Sequence, residues 1–392
     1  MKILHCVESY YPSLGGMQEV VKQLSERLVK LGHQVTVAAS SNPKREEKSI
    51  INGVEVLSFS ISGNLVRGIV GDEKEYKKFL INSNYDVVVS FAAQQWATDI
   101  ALSILPQIKG KKVFVPTGFS GYFFPEYKSY FEKMKVWMKE YDMNVFLSND
   151  YRDINFAREN GIDKNILIPN GAAEDEFLTS SNIDIKKKLG IDPNSCLILH
   201  VGSYTGIKGQ AEACQIFHRA KIKNASLLLI GNSNEIFLKR YWYKVSLPIL
   251  FFKKYRKNKK IFATHTLNRQ ETIAAYQAAD VFLFPSNIEC SPIVLFECMA
   301  SKTPYLTTDV GNSKEIISWS NAGKLLPTKK DANGYSHADI TLSVKMLEEL
   351  VLDNEERERL GANGFQAWNN NFTWELITKK YETLYKNLLI QK

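Results

Sequence analysis

The sequence predicts an α/β protein of two domains, each built around a doubly wound parallel sheet. Its 392 residues exceed the roughly 250 to 300 that one hydrophobic core supports. Short apolar runs alternate with helical patterns along the whole length, which is typical of βαβ units. A polar, turn-rich stretch near 170–195 separates two series of such runs. We therefore place the first domain at 1–175 and the second at 190–370.

Each expected strand is a short buried-type run. The first series comprises 3–7, 35–38, 54–59, 87–91, 113–115, 145–147 and 166–168, and the second 197–201, 227–230, 261–263, 281–285 and 305–307. An amphipathic helix is expected over 373–392, and we expect it to pack back on the first domain. Its apolar stripe comprises Leu376, Ile377, Tyr381, Leu384, Tyr385 and Leu388. Because such sheets bind ligands outside the carboxyl ends of their strands, we expect a ligand in a cleft between the domains.

Composition narrows the class of protein. A hydrophobic share of 44% beside 23% charged residues is typical of a soluble globular protein. The longest apolar run, 245–252, is far shorter than the about 20 residues of a spanning helix. The start resembles a buried strand and not a signal peptide, so we expect a cytoplasmic protein. Five scattered cysteines without a CxxC pair argue against a disulfide framework and against a zinc site.

The strongest motif follows the expected strand 281–285 and reads PSNIECSPIVLFE up to Glu297. Ser291 suits an N-cap and Pro292 a first helical position, so a helix should begin at the carboxyl end of this strand. The free amides and positive dipole of a helix start suit a diphosphate. Glu289 precedes the helix and Glu297 lies in its second turn. Two solvated charges are the alternative, but this placement favours carboxylates that accept hydrogen bonds from sugar hydroxyls.

Two glycine-containing loops each follow the first expected strand of a domain. The loop after strand 197–201 reads GSYTGIKG, from Gly202 to Gly209, and opens a helix. The loop after the first strand contains Gly15 and Gly16, where glycine lets the backbone approach a ligand closely. A tight turn into a helix explains this second pair equally well.

These motifs resemble those of glycosyltransferase family 4, whose members are retaining enzymes of the GT-B fold, with two Rossmann-like domains facing a cleft. The resemblance extends along nearly the whole chain. It implies that Glu289 contacts the donor sugar near the reacting carbon and that Glu297 holds the ribose hydroxyls. It also implies that the helix start, with Ser291 and the backbone amides around Ile293 and Val294, touches the sugar or the diphosphate.

The resemblance assigns a charge role to the loop that begins at Gly202. Family members carry an arginine directly after this glycine and a lysine before the last glycine of the loop, and both clamp the diphosphate. Lys208 is in place, whereas Ser203 stands where the arginine is usual. One of the two cations that offset leaving-group charge is therefore missing. A solvated lysine at a helix start is the alternative explanation of Lys208.

Other positions follow from the same resemblance. Gly15 and Gly16 would lie against the donor from the first domain, and the segment around Leu267 would read the nucleobase through its backbone. Where many relatives carry a histidine after strand 113–115, this chain has Thr117 followed by Gly118 on the acceptor side. Threonine is no proton carrier at neutral pH, so that role is unfilled or not needed.

The family mechanism implies a leaving nucleoside diphosphate, a short-lived oxocarbenium ion and attack by the acceptor on the same face. Lys208 and a helix start would stabilise the leaving group. No Asp-x-Asp stands where a metal clamp would need it, so we expect neither a metal nor any cofactor besides the nucleotide sugar as substrate. Two alternatives remain: a GT-B nucleotide-sugar epimerase, and a catalytically weak binding subunit suggested by Ser203 and Thr117.

A basic segment indicates where the protein works. Residues 239–260 carry nine Lys and Arg around an aromatic, apolar middle, and the chain has a net charge of +8. This pattern suits an anionic lipid surface better than nucleic acid, although a solvated surface helix is a further possibility. A second aromatic stripe at 127–138 suits either a core or a membrane face. We therefore expect transfer from a UDP- or GDP-sugar to a lipid-linked glycan acceptor in cell-surface polysaccharide synthesis, at the inner face of the cell membrane.

Overall fold

The computed structural model describes residues 1–232, 259–264 and 267–390. It contains two compact units. Unit 1 comprises Met1–Asn170 together with Trp374–Lys392, and unit 2 comprises Gly171–Thr373. The chain passes from the first unit to the second at the early end of the stretch 170–195 that the sequence marks as polar and turn-rich.

Strands and helices alternate through both units. The strands are β1 Lys2–Cys6, β2 Gln34–Ser40, β3 Lys48–Ile51, β4 Val54–Phe59, β5 Ser62–Asn64, β6 Gly68–Val70, β7 Val87–Phe91, β8 Lys111–Val115, β9 Met143–Phe146, β10 Asn165–Leu167, β11 Cys196–Val201, β12 Ala225–Ile230, β13 Lys259–Thr264, β14 Val281–Phe284, β15 Tyr305–Thr307, β16 Gly323–Leu325, β17 Thr328–Lys330 and β18 Ser336–Ala338. The helices are α1 Gly16–Lys30, α2 Glu73–Asn82, α3 Trp96–Leu102, α4 Lys128–Glu140, α5 Arg152–Glu159, α6 Glu174–Phe177, α7 Ile185–Leu189, α8 Gln210–Arg219, α9 Arg269–Ala278, α10 Ile293–Ala300, α11 Ser313–Ser320, α12 Ile340–Leu352, α13 Asn354–Asn371 and α14 Trp374–Ile390.

The sheet of unit 1 has the strand order β10-β9-β8-β7-β1-β2-β4-β3. All neighbours pair in parallel except β3, which pairs with β4 in antiparallel fashion. The chain works outward from β1 through β2 and β4, and then returns to build β7 to β10 on the other side. The direction of winding therefore reverses between β1 and β7, and a doubly wound sheet binds its ligands outside the carboxyl ends of the strands at such a switch point.

The sheet of unit 2 repeats this logic with the order β13-β12-β11-β14-β15-β16, parallel throughout. Its switch point lies between β11 and β14. Both faces of the sheet are covered: Leu197 and Leu199 of β11 pack in one hydrophobic cluster and Ile198, between them, packs in another. A parallel sheet buried on both faces explains why these strands are almost continuously apolar. The α/β fold with two parallel sheets is as predicted.

The last helix, α14, belongs to unit 1 and packs against α1. Its stripe is buried as the heptad-like spacing indicates, at Ile377, Tyr381, Leu384, Tyr385 and Leu388, while Leu376 is partly exposed. On its polar side, Glu382 Oε1 lies 2.8 Å from His33 Nε2, just after α1. Burial of the apolar stripe supplies the main stabilisation of the packing of α14 on α1, at about 25 cal/mol per Å² of apolar area.

The aromatic stripe of 127–138 is core. Tyr130, Phe131, Met134 and Met138 of α4 are all buried in the hydrophobic cluster of unit 1. The basic segment 239–260, by contrast, falls almost wholly outside the described residues. Across the described parts of the chain, no helix is both long and apolar enough to cross a membrane.

Candidate functional site

The candidate site lies at the switch point of unit 2, where the loops after β11 and β14 leave the sheet in opposite directions. The two loops are joined by backbone: the Asn287 amide donates to the Ile207 carbonyl at 3.0 Å. Gly209 has a φ of +78°, and a Cβ there would lie 2.1 Å from the Pro285 carbonyl oxygen. Glycine is therefore required, both for the left-handed backbone and for the close approach of the two loops.

Gln210 shapes the front of the loop after β11. This residue is the first of α8 and is 1% exposed. Its Nε2 donates to the carbonyl oxygens of Gly202 and Ser203, at 3.0 Å each. The side chain thus ties the beginning of the loop to its end and fixes the backbone around Ser203, which is itself partly exposed.

Lys208 and Glu289 meet across this switch point. Lys208 Nζ lies 2.7 Å from Glu289 Oε1 and also donates to the Ile288 carbonyl at 3.3 Å. Ser286 Oγ donates to the same Glu289 oxygen at 2.9 Å. The sequence motifs therefore place a cation from one loop and a carboxylate from the other within one hydrogen bond, and both side chains remain partly exposed.

The helix after Glu289 begins one residue later than predicted. Ser291 and Pro292 were expected as N-cap and first helical residue, but Pro292 is the N-cap, with an extended ψ of 110°, and α10 begins at Ile293. The N-cap Pro292 makes no side-chain capping hydrogen bond. The first amides of α10, including those of Ile293 and Val294, have no helical acceptor and form the positive end of the helix dipole.

Glu297 lies one turn into α10 and is 3% exposed. Its Oε1 is 2.6 Å from Nη1 of Arg269, the first residue of α9. Burial raises the pKa of the Glu297 carboxyl, and the Arg269 guanidinium is the main influence that opposes the rise. Leu267 lies just before the Asn268 capping box that begins α9. The neighbouring His265 is outside the described residues.

The predicted residues of unit 1 lie at the carboxyl edge of its own sheet. Gly15 is the N-cap of α1 and Gly16 its first residue. Neither is in the left-handed region, and among the described atoms a Cβ on Gly16 would meet nothing within 4 Å. The space over Gly16 leaves room for a ligand to approach the backbone. A tight turn into the helix explains the two glycines equally well.

Thr117 and Gly118 belong to a strained loop after β8. Thr117, Gly118 and Phe119 all have positive φ, between 50° and 95°. The loop is held because Phe119 is buried and the Gly118 amide donates to the Asp153 carboxylate at 2.8 Å. Positive φ costs a non-glycine residue about 1 kcal/mol or more, so these contacts must compensate for Thr117 and Phe119.

The switch point of unit 1 is bridged without charged side chains. Gln95 Oε1 accepts the Glu8 amide at 2.7 Å, and Gln95 Nε2 donates to the Ala92 carbonyl at 3.2 Å. In the described part of the chain, no three His, Cys, Asp or Glu side chains come together in a way that could hold a metal ion.

Four residues that shape the candidate site could not be recognised as site residues from the sequence. Ser286 was within the motif but had no assigned role, and Gln210 followed the glycine loop directly. Arg269 contacts Glu297, 28 residues away, and Glu176 contacts Arg269, 93 residues away, and no spacing rule exists for such contacts. Arg269 could have been suspected from its place next to the helix cap Asn268, but not paired with its partners.

Solved structures with the same fold are glycosyltransferases and related synthases. Sucrose-phosphate synthase from Thermosynechococcus elongatus superposes with a TM-score of 0.78 at 18% identity, covering 100% of this chain and 99% of that one. HepE of Anabaena, solved in complex with UDP-glucose, gives 0.71 at 16% identity, covering 98% and 100%. The fold is accordingly GT-B, as the resemblance implied.

Family profiles match both units. Glycosyltransferase Family 4 matches residues 14–176 and Glycosyl transferases group 1 matches residues 181–367. The chain belongs to the family 4, group 1 glycosyltransferases. Among curated relatives, N-acetyl-alpha-D-glucosaminyl L-malate synthase of Bacillus anthracis is 25% identical over 52% of this chain and 49% of its own length. A capsular polysaccharide biosynthesis glycosyltransferase of Staphylococcus aureus is 25% identical over 60% and 58%. The chain thus spans about half to three fifths of these relatives.

Proposed function

We propose that this protein is a retaining, metal-independent glycosyltransferase that transfers a sugar from a UDP- or GDP-sugar to a lipid-linked glycan. The observation that carries the proposal is the contact of Lys208 with Glu289 at the switch point of unit 2, just before the start of α10. A cation and a helix dipole suit a diphosphate, and a carboxylate beside them suits sugar hydroxyls. Together they match the diphosphate and the sugar of a nucleotide sugar.

Each residue takes a defined part in this proposal. Lys208 and the amides around Ile293 and Val294 bind the diphosphate, and Glu289 contacts the sugar near its reacting carbon. Glu297 accepts hydrogen bonds from the ribose. The UDP-glucose in the Anabaena structure, on the same fold, supports a nucleotide sugar as the ligand.

The reaction itself would be a substitution at the anomeric carbon. The bond from that carbon to the diphosphate oxygen breaks, and its electron pair leaves with the nucleoside diphosphate. An acceptor hydroxyl oxygen then bonds to the same face of the carbon, and its proton passes to a phosphate oxygen. Lys208 and the α10 dipole stabilise the charge that develops on the leaving group, so they act most strongly in the transition state.

A nucleotide panel tests the donor site. We expect UDP or GDP, but not ADP or CMP, to raise the melting temperature, since a ligand that binds only the folded state stabilises it. Glu297→Ala should lose this shift because ribose is contacted in the ground state. Glu212→Ala removes a carboxylate that accepts from Asn287 in the same unit and serves as a matched control. Unchanged nucleotide binding in Glu297→Ala would overturn the ribose assignment.

Two further measurements test the chemistry. Activity should survive EDTA, because Lys208 and a helix start hold the diphosphate; loss that magnesium or manganese restores contradicts this. NMR of the first product should show the anomeric configuration of the donor, and an inverted product excludes a retaining enzyme.

The acceptor and the membrane are inferred from the sequence of the segment 239–260. The name of the Staphylococcus relative supports glycan synthesis. Basic residues near anionic lipid contribute about 1 kcal/mol each. Replacing four of them (Lys253, Lys254, Arg256 and Lys257) with Gln should therefore reduce co-sedimentation with anionic liposomes strongly at low salt and less at high salt. Equal, salt-independent binding of parent and variant contradicts membrane docking by charge.

Ser203 favours a second candidate, a glycosyltransferase-like binding subunit with little turnover. Because serine replaces one of the two cations that the family uses on this loop, less leaving-group charge is stabilised. Turnover of nucleotide sugars with a membrane extract distinguishes the two functions. Nucleotide binding without any sugar transfer or hydrolysis would favour the binding subunit.

A further inference from the structure

Arg269 lies between two carboxylates of unit 2. Its Nη1 is 2.6 Å from Glu297 Oε1, and its Nη2 and Nε lie 2.5 and 3.1 Å from Glu176 Oε2. Its guanidinium also sits 5.6 Å from the centre of the Phe177 ring. We call the chain Glu176–Arg269–Glu297 the Arg269 bridge. It connects three separate elements, α6, α9 and α10, at one point.

The Arg269 bridge opposes the effect of burial on Glu297. A carboxylate that is 3% exposed loses hydration, which favours its neutral form. In that form one oxygen carries a proton and donates a hydrogen bond, so the group is a poorer acceptor for hydroxyl groups. Pairing with a guanidinium, which stays charged at all relevant pH values, favours the carboxylate form.

Glu176 and Phe177 fix Arg269 from the other side. Both belong to α6, and Glu176 engages two nitrogens of the guanidinium, so the planar group is held in one orientation. The Arg269 side chain is 36% exposed, and so its free energy of pairing is moderated by solvent. The Arg269 bridge therefore supplies a fixed orientation in addition to charge.

We propose that Arg269 is a positioning residue for donor binding: it holds the Glu297 carboxylate in place by one oxygen and keeps it able to accept the ribose hydroxyls. This inference rests on the assignment of Glu297 under the proposed function. Arg269 begins the helix that follows Leu267, so one residue connects the segment expected at the nucleobase with the carboxylate expected at the ribose.

The charges around Glu297 determine the sign of a pH effect. Arg269 and Tyr276 lower the pKa of Glu297 and Glu176 raises it, while the buried Cys298 lies beside it. Removing the guanidinium leaves burial and Glu176 to raise the pKa further. Nucleotide affinity should then decline more steeply with falling pH in Arg269→Met than in the parent.

The test compares Arg269→Met, Arg269→Lys and the parent, with UDP and GDP as probes, by calorimetry at pH 6, 7 and 8. Between pH 8 and pH 6, we expect the nucleotide affinity of Arg269→Met to fall roughly tenfold more than that of the parent, since one pKa unit corresponds to a tenfold change. Arg269→Lys should recover most of the pH profile. Lys188→Met is the matched control, because Lys188 pairs with Glu271 in the first turn of the same helix and does not contact Glu297.

A second readout needs no nucleotide. A buried carboxylate with a raised pKa destabilises the fold as the pH rises, because the ionised form becomes the buried one. Arg269→Met should therefore lose melting temperature more steeply than the parent from pH 5 to pH 8, and Arg269→Met with Glu297→Gln should not. Identical pH profiles of Arg269→Met and the parent in both assays overturn the inference. Failure of the parent to bind either nucleotide, with the melting profiles as expected, instead counts against the proposed function.

Discussion

The two switch points of this protein have the same topology and different chemistry. In unit 2, Lys208 Nζ contacts Glu289 Oε1 across the loops after β11 and β14, at 2.7 Å. In unit 1, the corresponding loops after β1 and β7 are joined by the Gln95 side chain, which accepts the Glu8 amide, also at 2.7 Å. One bridge consists of two opposite charges, and the other of a neutral amide.

Buried carboxyl groups differ in the same way between the units. Glu297 of unit 2 is paired with Arg269. In unit 1, Asp99 accepts from the Leu65 amide and the Tyr130 hydroxyl, and Asp153 accepts from two backbone amides. Burial raises the pKa of both aspartates to about 6. Topology therefore determines where a ligand can bind, whereas the pairing of charges determines which kind of ligand can replace the bridge.

The largest expected effect is that of Glu289→Gln. If the contact between Lys208 and Glu289 serves catalysis, turnover should fall about 100- to 1000-fold, the range seen when one group that stabilises the transition state is removed. Nucleotide affinity should change little. Steady-state kinetics with the nucleotide sugar measure this, and Glu212→Gln in the same unit is the control. Full turnover in Glu289→Gln would mean that the charged bridge is structural.

The next effect concerns Asp153. Its pKa is about 6 in the folded protein, against the usual 3.8, so the folded state keeps a proton that the unfolded chain loses between these pH values. Stability contributed by the protonated carboxyl is lost as pH rises from about 4 to about 6.5, by about 3 kcal/mol. Asp153→Asn should lack this loss. Thermal unfolding over this range tests it, with the exposed Asp150→Asn as control; parallel curves for parent and Asp153→Asn contradict the assignment.

Gln95→Leu should destabilise unit 1 by about 1 kcal/mol, because the partly buried Glu8 amide and Ala92 carbonyl both lose their hydrogen bond to this side chain. Nucleotide affinity should remain that of the parent. Melting temperature and nucleotide binding, measured together, separate the two effects. Weakened nucleotide binding at an unchanged melting temperature would give the neutral bridge a ligand role and remove the contrast between the units.

The smallest effect is expected at Lys188, which is exposed, and whose partner Glu271 is largely buried but also accepts from the Asn268 amide. The Lys188 side chain is 49% exposed, and exposed pairs contribute about 0 to 1 kcal/mol. Lys188→Met should therefore leave the melting temperature nearly unchanged. A loss as large as that in Gln95→Leu would show that charge pairing alone, without a switch point, stabilises this fold.

The parallel architecture could be predicted from the sequence because buried parallel strands are continuously apolar. The strands β3, β5, β6, β16, β17 and β18 were missed. All have only three or four residues, and each lies at a sheet edge or in a separate two-stranded sheet. The start of α10 was misplaced because proline suits both the N-cap and the first helical position, and only its ψ distinguishes them.

The positions of motif residues at the edge of the sheet could be predicted from the strand order, and residues joined only by tertiary contact could not. Glu289, Glu297 and Lys208 follow strands directly, so strand order places them at one edge of the sheet. Arg269 and Glu176 come near Glu297 through the packing of α6, α9 and α10, which depends on the whole core. The roles assigned to these residues stay predictions until the variants are measured.

The contact between Lys208 and Glu289 has a consequence for how the unliganded site selects its ligand. An anion without hydroxyl groups, such as inorganic phosphate, can take Lys208 but leaves Glu289 without its cation, and a free sugar does the reverse. Only a molecule that carries both a phosphate and sugar hydroxyls replaces the contact between Lys208 and Glu289 completely. Under the proposed function, the site would then respond only to both groups together. Transfer of the sugar would also favour release, because the nucleoside diphosphate would no longer satisfy Glu289 and Lys208 could return to it.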